Sequence, residues 1–462
     1  MAINKLKYFL PYQFTTFEFE RNIFLIAVFL LPSAFSFASI LFLVSSSIGV
    51  IKNFNKLKSD RLNYVLLIIS ILLIISCLVH TNQFEGIDTY QDKNSIYWDP
   101  RFDLKWKPSF TWIGLFNWLP LFLVFVGSQP YLKNHQNRNL VAKFLLAGTI
   151  PVLFSGLAQY FFKSYGPYEI LNGLLIWYQK PIDINIPNSG LSGLFSNKNY
   201  MGCWLNIVFP FSLSIFFENK KYPLKRSILL IIILIIALSL ALTGSRNSWL
   251  GFAISIPLIY GISSFYWILS LVILLIGLIY FADSIPSGFR ELLETITPEQ
   301  ILLKLQSNYY QNYQNSRLDI YFFALKMISQ RPLFGWGAGS FGVYTYLLNQ
   351  EYAGHAHNLL IDFAFNYGAI VSIMFFAFLG FLCFFSFKKI FLFNSNISFD
   401  SKSHFQDKAW WASCFILILS QIFDIQYFDG RISIVLWILC SGARYLVKGE
   451  NQFFEGGRNY NN

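Results

Sequence analysis

The sequence predicts an all-α fold: a polytopic transmembrane helical bundle of about twelve spans with a large extracytoplasmic loop containing interfacial helices. Three observations predict it. Only 13% of the 462 residues are charged and 55% are hydrophobic, whereas a soluble domain usually carries about 25% charged residues. Apolar runs recur from Ile23 to Val447, many close to the ~20 residues that cross a bilayer as a helix. The polar residues collect at the ends of these runs. In hydrocarbon every backbone N–H and C=O must be paired internally, so the runs are helical.

Spans are expected at 22–34, 36–51, 62–80, 111–127, 140–158, 201–217, 227–243, 248–263, 265–282, 369–387, 409–424 and 431–447. The first two are split near Pro32 and are read either as two short spans or as one tilted helix. Lys5, Lys7 and Arg21 before the first run resemble a signal peptide. The run continues to Ile51, so a retained membrane segment is expected. Three parts follow: 1–190, N-terminal transmembrane helices and first outer loops; 191–390, a core with the large loop 283–368; 391–462, a C-terminal helix pair and tail. Within the large loop, 316–330 has helical periodicity, begun by Arg317 and ended by Arg331-Pro332. A helix at the outer interface is expected there.

Charge sets the expected orientation. Of the 35 basic residues, 21 fall on one side, from Lys5 through Lys52–Arg61, Lys133–Lys143, Lys220–Arg226 and Lys388–Lys408 to Arg458. Most lie in short loops, which the positive-inside rule weights most. That side is read as cytoplasmic, within the cell inner membrane, and 81–110, 159–200 and 283–368 as facing outward. The net charge of +11 therefore reflects loop topology, and no nucleic-acid partner is expected. Cys77, Cys203, Cys383, Cys414 and Cys440 all lie in apolar runs, with neither metal-site spacing nor disulfide-suited loop positions. Ionisable residues are scarce at span centres, where each costs at least ~3 kcal/mol and marks ion or proton paths. That scarcity argues against a proton- or sodium-coupled carrier.

Five polar clusters stand at the outer ends. Thr243-Gly244-Ser245-Arg246-Asn247-Ser248-Trp249 is a tight turn whose arginine fits a lipid headgroup or, through paired hydrogen bonds, phosphate oxygens. Arg317 opens the second cluster, which continues Arg331-Pro332-Leu333-Phe334-Gly335-Trp336-Gly337-Ala338-Gly339-Ser340. Its glycines lack the Gly-Lys-Ser/Thr of a nucleotide loop and suggest a close-packed turn beneath a ligand. Gly354-His355-Ala356-His357-Asn358 offers a general base, since neutral imidazole accepts a hydroxyl proton near pH 7. It offers equally a structural interfacial histidine. No Cys or Glu is spaced to complete a zinc site, so no metal and no cofactor are expected. Asp424 and the turn Asp429-Gly430-Arg431 read as a self-contained ion pair or as supports for the histidine and arginines. Asn197 and Asn199, leading into the span at 201–217, read as sugar ligands or as helix caps.

The set of segments Gly193–Gly202, Thr243–Gly251, Arg317–Phe341 and His357–Gly368 resembles the O-antigen ligase and polymerase superfamily of bacterial envelope proteins. Asp424–Ser433 resembles the terminal motif of cyanobacterial members, some of which carry an inorganic-carbon-transporter name. The resemblance implies a metal-independent inverting glycosyltransferase of lipopolysaccharide or polysaccharide biosynthesis. Its partners would be a polyprenyl-diphosphate-linked glycan, a lipid-A core or other glycan acceptor, and membrane lipids. Carried over, Arg246 and Arg317 would bind the donor diphosphate and His357 would activate the acceptor hydroxyl. His355, Asn358, Asp424, Asp429, Arg431, Asn197 and Asn199 would support them. His355, two residues away, competes for the role of base. Two other functions fit a multi-pass membrane protein: a component of bicarbonate or solute transport, and a non-catalytic scaffold of envelope assembly. A carrier would need a polar midplane site, often between inverted repeats with broken helices, and the sequence has neither.

Overall fold

The computed structural model describes residues 19–88, 104–182, 189–261, 263–266, 269–270, 317–349, 352–393 and 402–448. These form a helical membrane bundle. The first apolar run is two helices, α1 (Phe19–Leu30) and α2 (Phe35–Lys58), broken at the turn that contains Pro32. They pack on one another with the Phe24 and Phe42 rings edge to face at 5.6 Å. The reading as one tilted helix is therefore corrected. Proline removes a backbone donor and clashes with the preceding turn, which ends α1 here. Next come α3 (Arg61–Gln83), a short ribbon of β1 (Ile87–Asp88) and β2 (Lys105–Trp106), α4 (Phe110–Gly114), α5 (Leu119–Ser128) and α6 (His135–Phe161). A hairpin of β3 (Tyr168–Ile170) and β4 (Leu175–Trp177) leads to α7 (Lys198–Glu218), α8 (Pro223–Thr243) and α9 (Arg246–Tyr260).

The second half holds α10 (Arg317–Gln330), α11 (Phe341–Asn349), α12 (Leu359–Tyr367), α13 (Ala369–Phe387), α14 (Lys402–Phe423) and α15 (Gly430–Lys448). Eight helical stretches among the described residues are long and apolar enough to cross a membrane: α2, α3, α4–α5 through Leu132, α6, α7, α8, α13 with its extension to Leu392, and α15. Helix α1 is shorter at 12 residues and α9 at 15. Most of the span expected at 265–282 lies outside the described residues.

One hydrophobic core runs from Phe24 to Leu446, with α7 and α15 at its centre by burial. Small residues set the closest crossings. A Cβ on Gly202 would fall 1.9 Å from the Ser248 hydroxyl, so α7 and α9 approach as membrane helices do when small residues line their contact. A second, smaller core joins α10 to α11 and α12 through Phe323, Phe341 and Phe365.

Helix ends segregate into two faces. On one, Arg444 bonds Asp60, Arg138 bonds Asp407 at 3.1 Å, and Gln406 bonds Glu218. These positions adjoin the basic loops noted in the sequence. On the other face, Arg431 reaches the carbonyls of Leu194 and Pro32, and Trp177 donates to the Ser33 carbonyl at 2.7 Å. The side chains of Asp60 and Arg444 are 1% and 4% exposed. Removing one partner of such a pair leaves a stranded charge. Arg444→Ala is therefore expected to cost about 3–5 kcal/mol, read as a lower thermal unfolding temperature in detergent. Asp60→Asn with Arg444→Gln should restore most of it. Equal losses in the single and double variants would contradict the pairing.

Candidate active site

The site is assembled on the last turn of α14. At Phe423 the helix ends, and its carbonyl accepts a hydrogen bond from the Arg317 guanidinium at 2.7 Å. The next residue, Asp424, is buried and places Oδ1 3.1 Å from Nδ1 of His357. Its Oδ2 accepts from the Asn199 amide at 2.9 Å. One turn earlier, the Ser420 carbonyl accepts from the amide of Asn247, the residue after Arg246, at 3.2 Å. Residues four apart lie on one face of a helix, so these attachments stack along one edge of α14.

Local sequence explains each placement. Arg246 is the first residue of α9, just after Ser245 and the left-handed Gly244, and is exposed. Arg317 is carried by α10 and is exposed. Asn197 caps α7 by accepting from the Asn199 N–H, which leaves the Asn199 side chain for Asp424. Asn358 caps α12 by accepting from the Ile361 N–H at 3.2 Å. Of the two asparagine readings, the cap describes Asn197, whereas Asn199 meets a carboxylate. His357, between that cap and His355, has φ +52°. This left-handed conformation is uncommon for a residue with a side chain and persists where neighbours over-determine it.

The glycine-rich segment is a packed turn. The N–H groups of Trp336 and Gly337 donate to the Phe365 and Asn366 carbonyls, and that of Ala369 to the Pro332 carbonyl. A Cβ on Gly368, at φ +100°, would lie 2.1 Å from the Leu333 oxygen, so only glycine fits where these backbones meet. Arg331 lies over the Phe84 and Trp336 rings at 4.0 and 4.5 Å and is occupied in holding this turn to α3. Asp429 and Arg431 bond each other, Nε to Oδ1 at 2.9 Å. Arg431 also lies 3.8 Å from the Phe195 ring centre and joins three chain segments. The pair thus ties the Asp424 turn to the α1–α2 corner and to the segment before α7.

His355 lies against His357 with ring centres 4.3 Å apart, and its Nδ1 accepts the His357 N–H at 3.2 Å. Burial, the His357 charge and Arg317 hold it down, against Asp424, to about 4. It is neutral at pH 7 with one nitrogen already used as an acceptor. Asp424 is raised by burial, but the hydrogen bond and charge of His357, with His355 and Arg317, outweigh that and hold it below the ordinary carboxylate value. Ligand atoms of His355, His357 and Asp424 lie within 4.8 Å of one another, the one such trio among the described residues. The His357–Asp424 bond already occupies two of these groups, and the Arg317 charge opposes a cation beside them.

Sequence reasoning passed over Asp362 and Tyr427. The available signal was an acid inside the apolar stretch 359–365, where burying a charge is costly unless it is hydrogen-bonded.

The fold and this cluster define a multi-pass membrane protein with a histidine–aspartate pair beside an arginine at one bundle end. Residues 229–376 match the family model described as O-Antigen ligase. The match supports the O-antigen ligase and polymerase superfamily and, with it, a membrane glycan-transfer function that takes a lipid-linked glycan and an acceptor. It includes Arg246, Arg317, His355, His357 and Asn358, and stops before Asp424. Comparison with curated proteins finds no match.

A histidine held below its ordinary 6.5 takes up protons more readily when the chain unfolds. The His355 contribution to stability is therefore lost as pH falls from about 6.5 towards about 4. Asp362, raised by burial to about 6, acts in the opposite sense between 3.8 and 6, so the contribution is read by difference. His355→Gln is expected to flatten the fall in thermal unfolding temperature across that window relative to the parent. Identical slopes would contradict the assignment.

Proposed function

We propose that the protein transfers a glycan from a polyprenyl-diphosphate donor to a sugar hydroxyl at the outer face of the cytoplasmic membrane. The observation that carries this reading is the attachment of Arg317 and His357 to adjacent residues, Phe423 and Asp424, at the end of α14. A glycosyl diphosphate already has a competent leaving group. Transfer then needs only charge neutralisation on the diphosphate and removal of one hydroxyl proton.

In this proposal Arg317 and Arg246 hold the donor diphosphate, for which the planar guanidinium fork is suited. With Nδ1–H of His357 donated to the Asp424 carboxylate, Nε2 keeps its lone pair and takes the acceptor proton. The acceptor oxygen bonds to the anomeric carbon as the bond to the diphosphate oxygen breaks, with inversion. The bonding electrons leave with the polyprenyl diphosphate, and the proton stays on His357, whose imidazolium Asp424 stabilises. Asn199 keeps that carboxylate oriented. The lipid tail lies among the apolar helices. Inversion and independence of metal follow from the superfamily resemblance.

Arg246→Ala, Arg317→Ala and His357→Ala are each expected to lower transfer by about 10²–10⁴-fold, measured with purified protein in nanodiscs and a lipid-linked donor. Arg317→Lys should retain part of the activity, because charge survives without the paired geometry. Parent-level transfer by all three alanine variants would end the proposal.

Orientation has its own test. Phe428 is 50% exposed beside the site, whereas the five native cysteines are buried or half-buried. Phe428→Cys is expected to react with a membrane-impermeant maleimide in cells whose inner membrane is intact. Labelling only after the inner membrane is breached would place the site on the cytoplasmic side.

A further inference from the structure

The chemistry proposed above leaves the enclosed carboxylate of Asp362 unused. Asp362 lies in the first turn of α12 and is 2% exposed. Its Oδ1 accepts the Ala356 N–H at 3.2 Å. Its Oδ2 accepts from the Asn366 amide at 2.9 Å and the Tyr427 hydroxyl at 3.3 Å. Burial raises its carboxyl to about 6 in spite of these bonds and the nearby His357. A carboxylate enclosed this way costs stability relative to a neutral group of similar volume.

What the carboxylate joins is informative. Ala356 stands between His355 and His357. Tyr427 is three residues beyond Asp424, in the turn that presents it. The Tyr427 ring lies 4.9 Å from that of Trp118, its backbone carbonyl accepts from the Ser433 hydroxyl, and it is buried. One carboxylate therefore bridges the histidine loop and the aspartate turn, whose His357 and Asp424 are 67 residues apart. His357 itself is in the left-handed region, which the surrounding bonds must maintain. Its loop is fastened before it by Ala356 on Asp362 and after it by the Asn358 cap.

We propose that Asp362 is a positioning residue that sets the His357 imidazole against the Asp424 carboxylate. The inference rests on the glycan-transfer reading of the site. Asp362 touches neither substrate in this proposal and acts through the two loops it joins.

Asp362→Asn in the full-length protein tests it at nearly constant volume. The amide offers its oxygen either to the Asn366–Tyr427 side, so that its NH₂ group faces the Ala356 N–H donor, or to Ala356, so that its NH₂ group faces the Asn366 donor and Tyr427 must turn to accept. Either way one donor that Asp362 satisfies, Ala356 or Asn366, loses its bond. In nanodiscs, kcat is expected to fall about 10–100-fold, because a small misplacement of a reacting group is costly. KM for the lipid-linked donor should stay within about two-fold, since both arginines lie outside the bridge. Tyr427→Phe should lower kcat less, and the double variant should be no slower than Asp362→Asn, as both act on one connection.

Histidine ¹³Cε1 NMR reads the geometry independently of turnover. The His357 signal, assigned by its loss in His357→Gln, is expected to shift in Asp362→Asn while those of His80 and His135 stay in place. An unmoved His357 signal overturns the proposal, as does unchanged kcat. A fall in kcat together with a lowered unfolding temperature and an unmoved signal marks Asp362 as packing alone and also overturns it. If even the parent transfers no glycan, the functional reading fails, while the NMR shift still decides whether Asp362 sets the histidine.

Discussion

The site depends on one carboxylate at a helix end. Asp424 follows the last residue of α14 and receives His357 on one oxygen and Asn199 on the other. Those partners come from segments 67 and 225 residues away. A buried carboxylate with a cationic or polarised partner on each side is a strong anchor, and loops that share it cannot move independently. The Phe423 carbonyl beside it fixes Arg317, and Ser420, one turn back, fixes Asn247 next to Arg246. The end of α14 is thus the point where chain segments distant in sequence acquire a common geometry.

The bilayer explains why this happens at a helix end. Charges at mid-membrane are costly, so polar groups concentrate where helices begin and stop. Helix ends supply unpaired carbonyls for arginines to bond, as the Phe423 carbonyl does here. The opposite face uses charge differently. There Arg444–Asp60 and Arg138–Asp407 fasten helices to one another. With structural ion pairs at one end and the histidine–aspartate cluster at the other, α14 and α15 link the two.

Much of the architecture was legible because its cause is local. Apolar runs near the thickness of a bilayer announce helices, and Pro32 marks a real break. Residues 317–330 are helical, as their periodicity implied. Other features depend on contacts that no local pattern encodes. Asn197 and Asn199 are two residues apart and equivalent on paper, yet one caps a helix and the other bonds Asp424. Asp429 and Arg431 form the ion pair that their spacing suggests, but their reach to Leu194, Pro32 and Phe195 comes from tertiary packing. The β3–β4 hairpin, with Leu171 and Asn172 at positive φ, has too short a strand pattern to stand out among helices. Asp362 did leave a trace, a lone acid in an apolar stretch, but its partners lie on two other loops.

The central claim is that the arginines and the histidine surround a single lipid-linked diphosphate. An experimental structure of the protein in nanodiscs with polyprenyl diphosphate bound tests it most directly. The diphosphate is expected within hydrogen-bonding reach of both Arg246 and Arg317, with its sugar-bearing side turned toward Nε2 of His357. A diphosphate held elsewhere, or touching one arginine with His357 in a separate cavity, would contradict it.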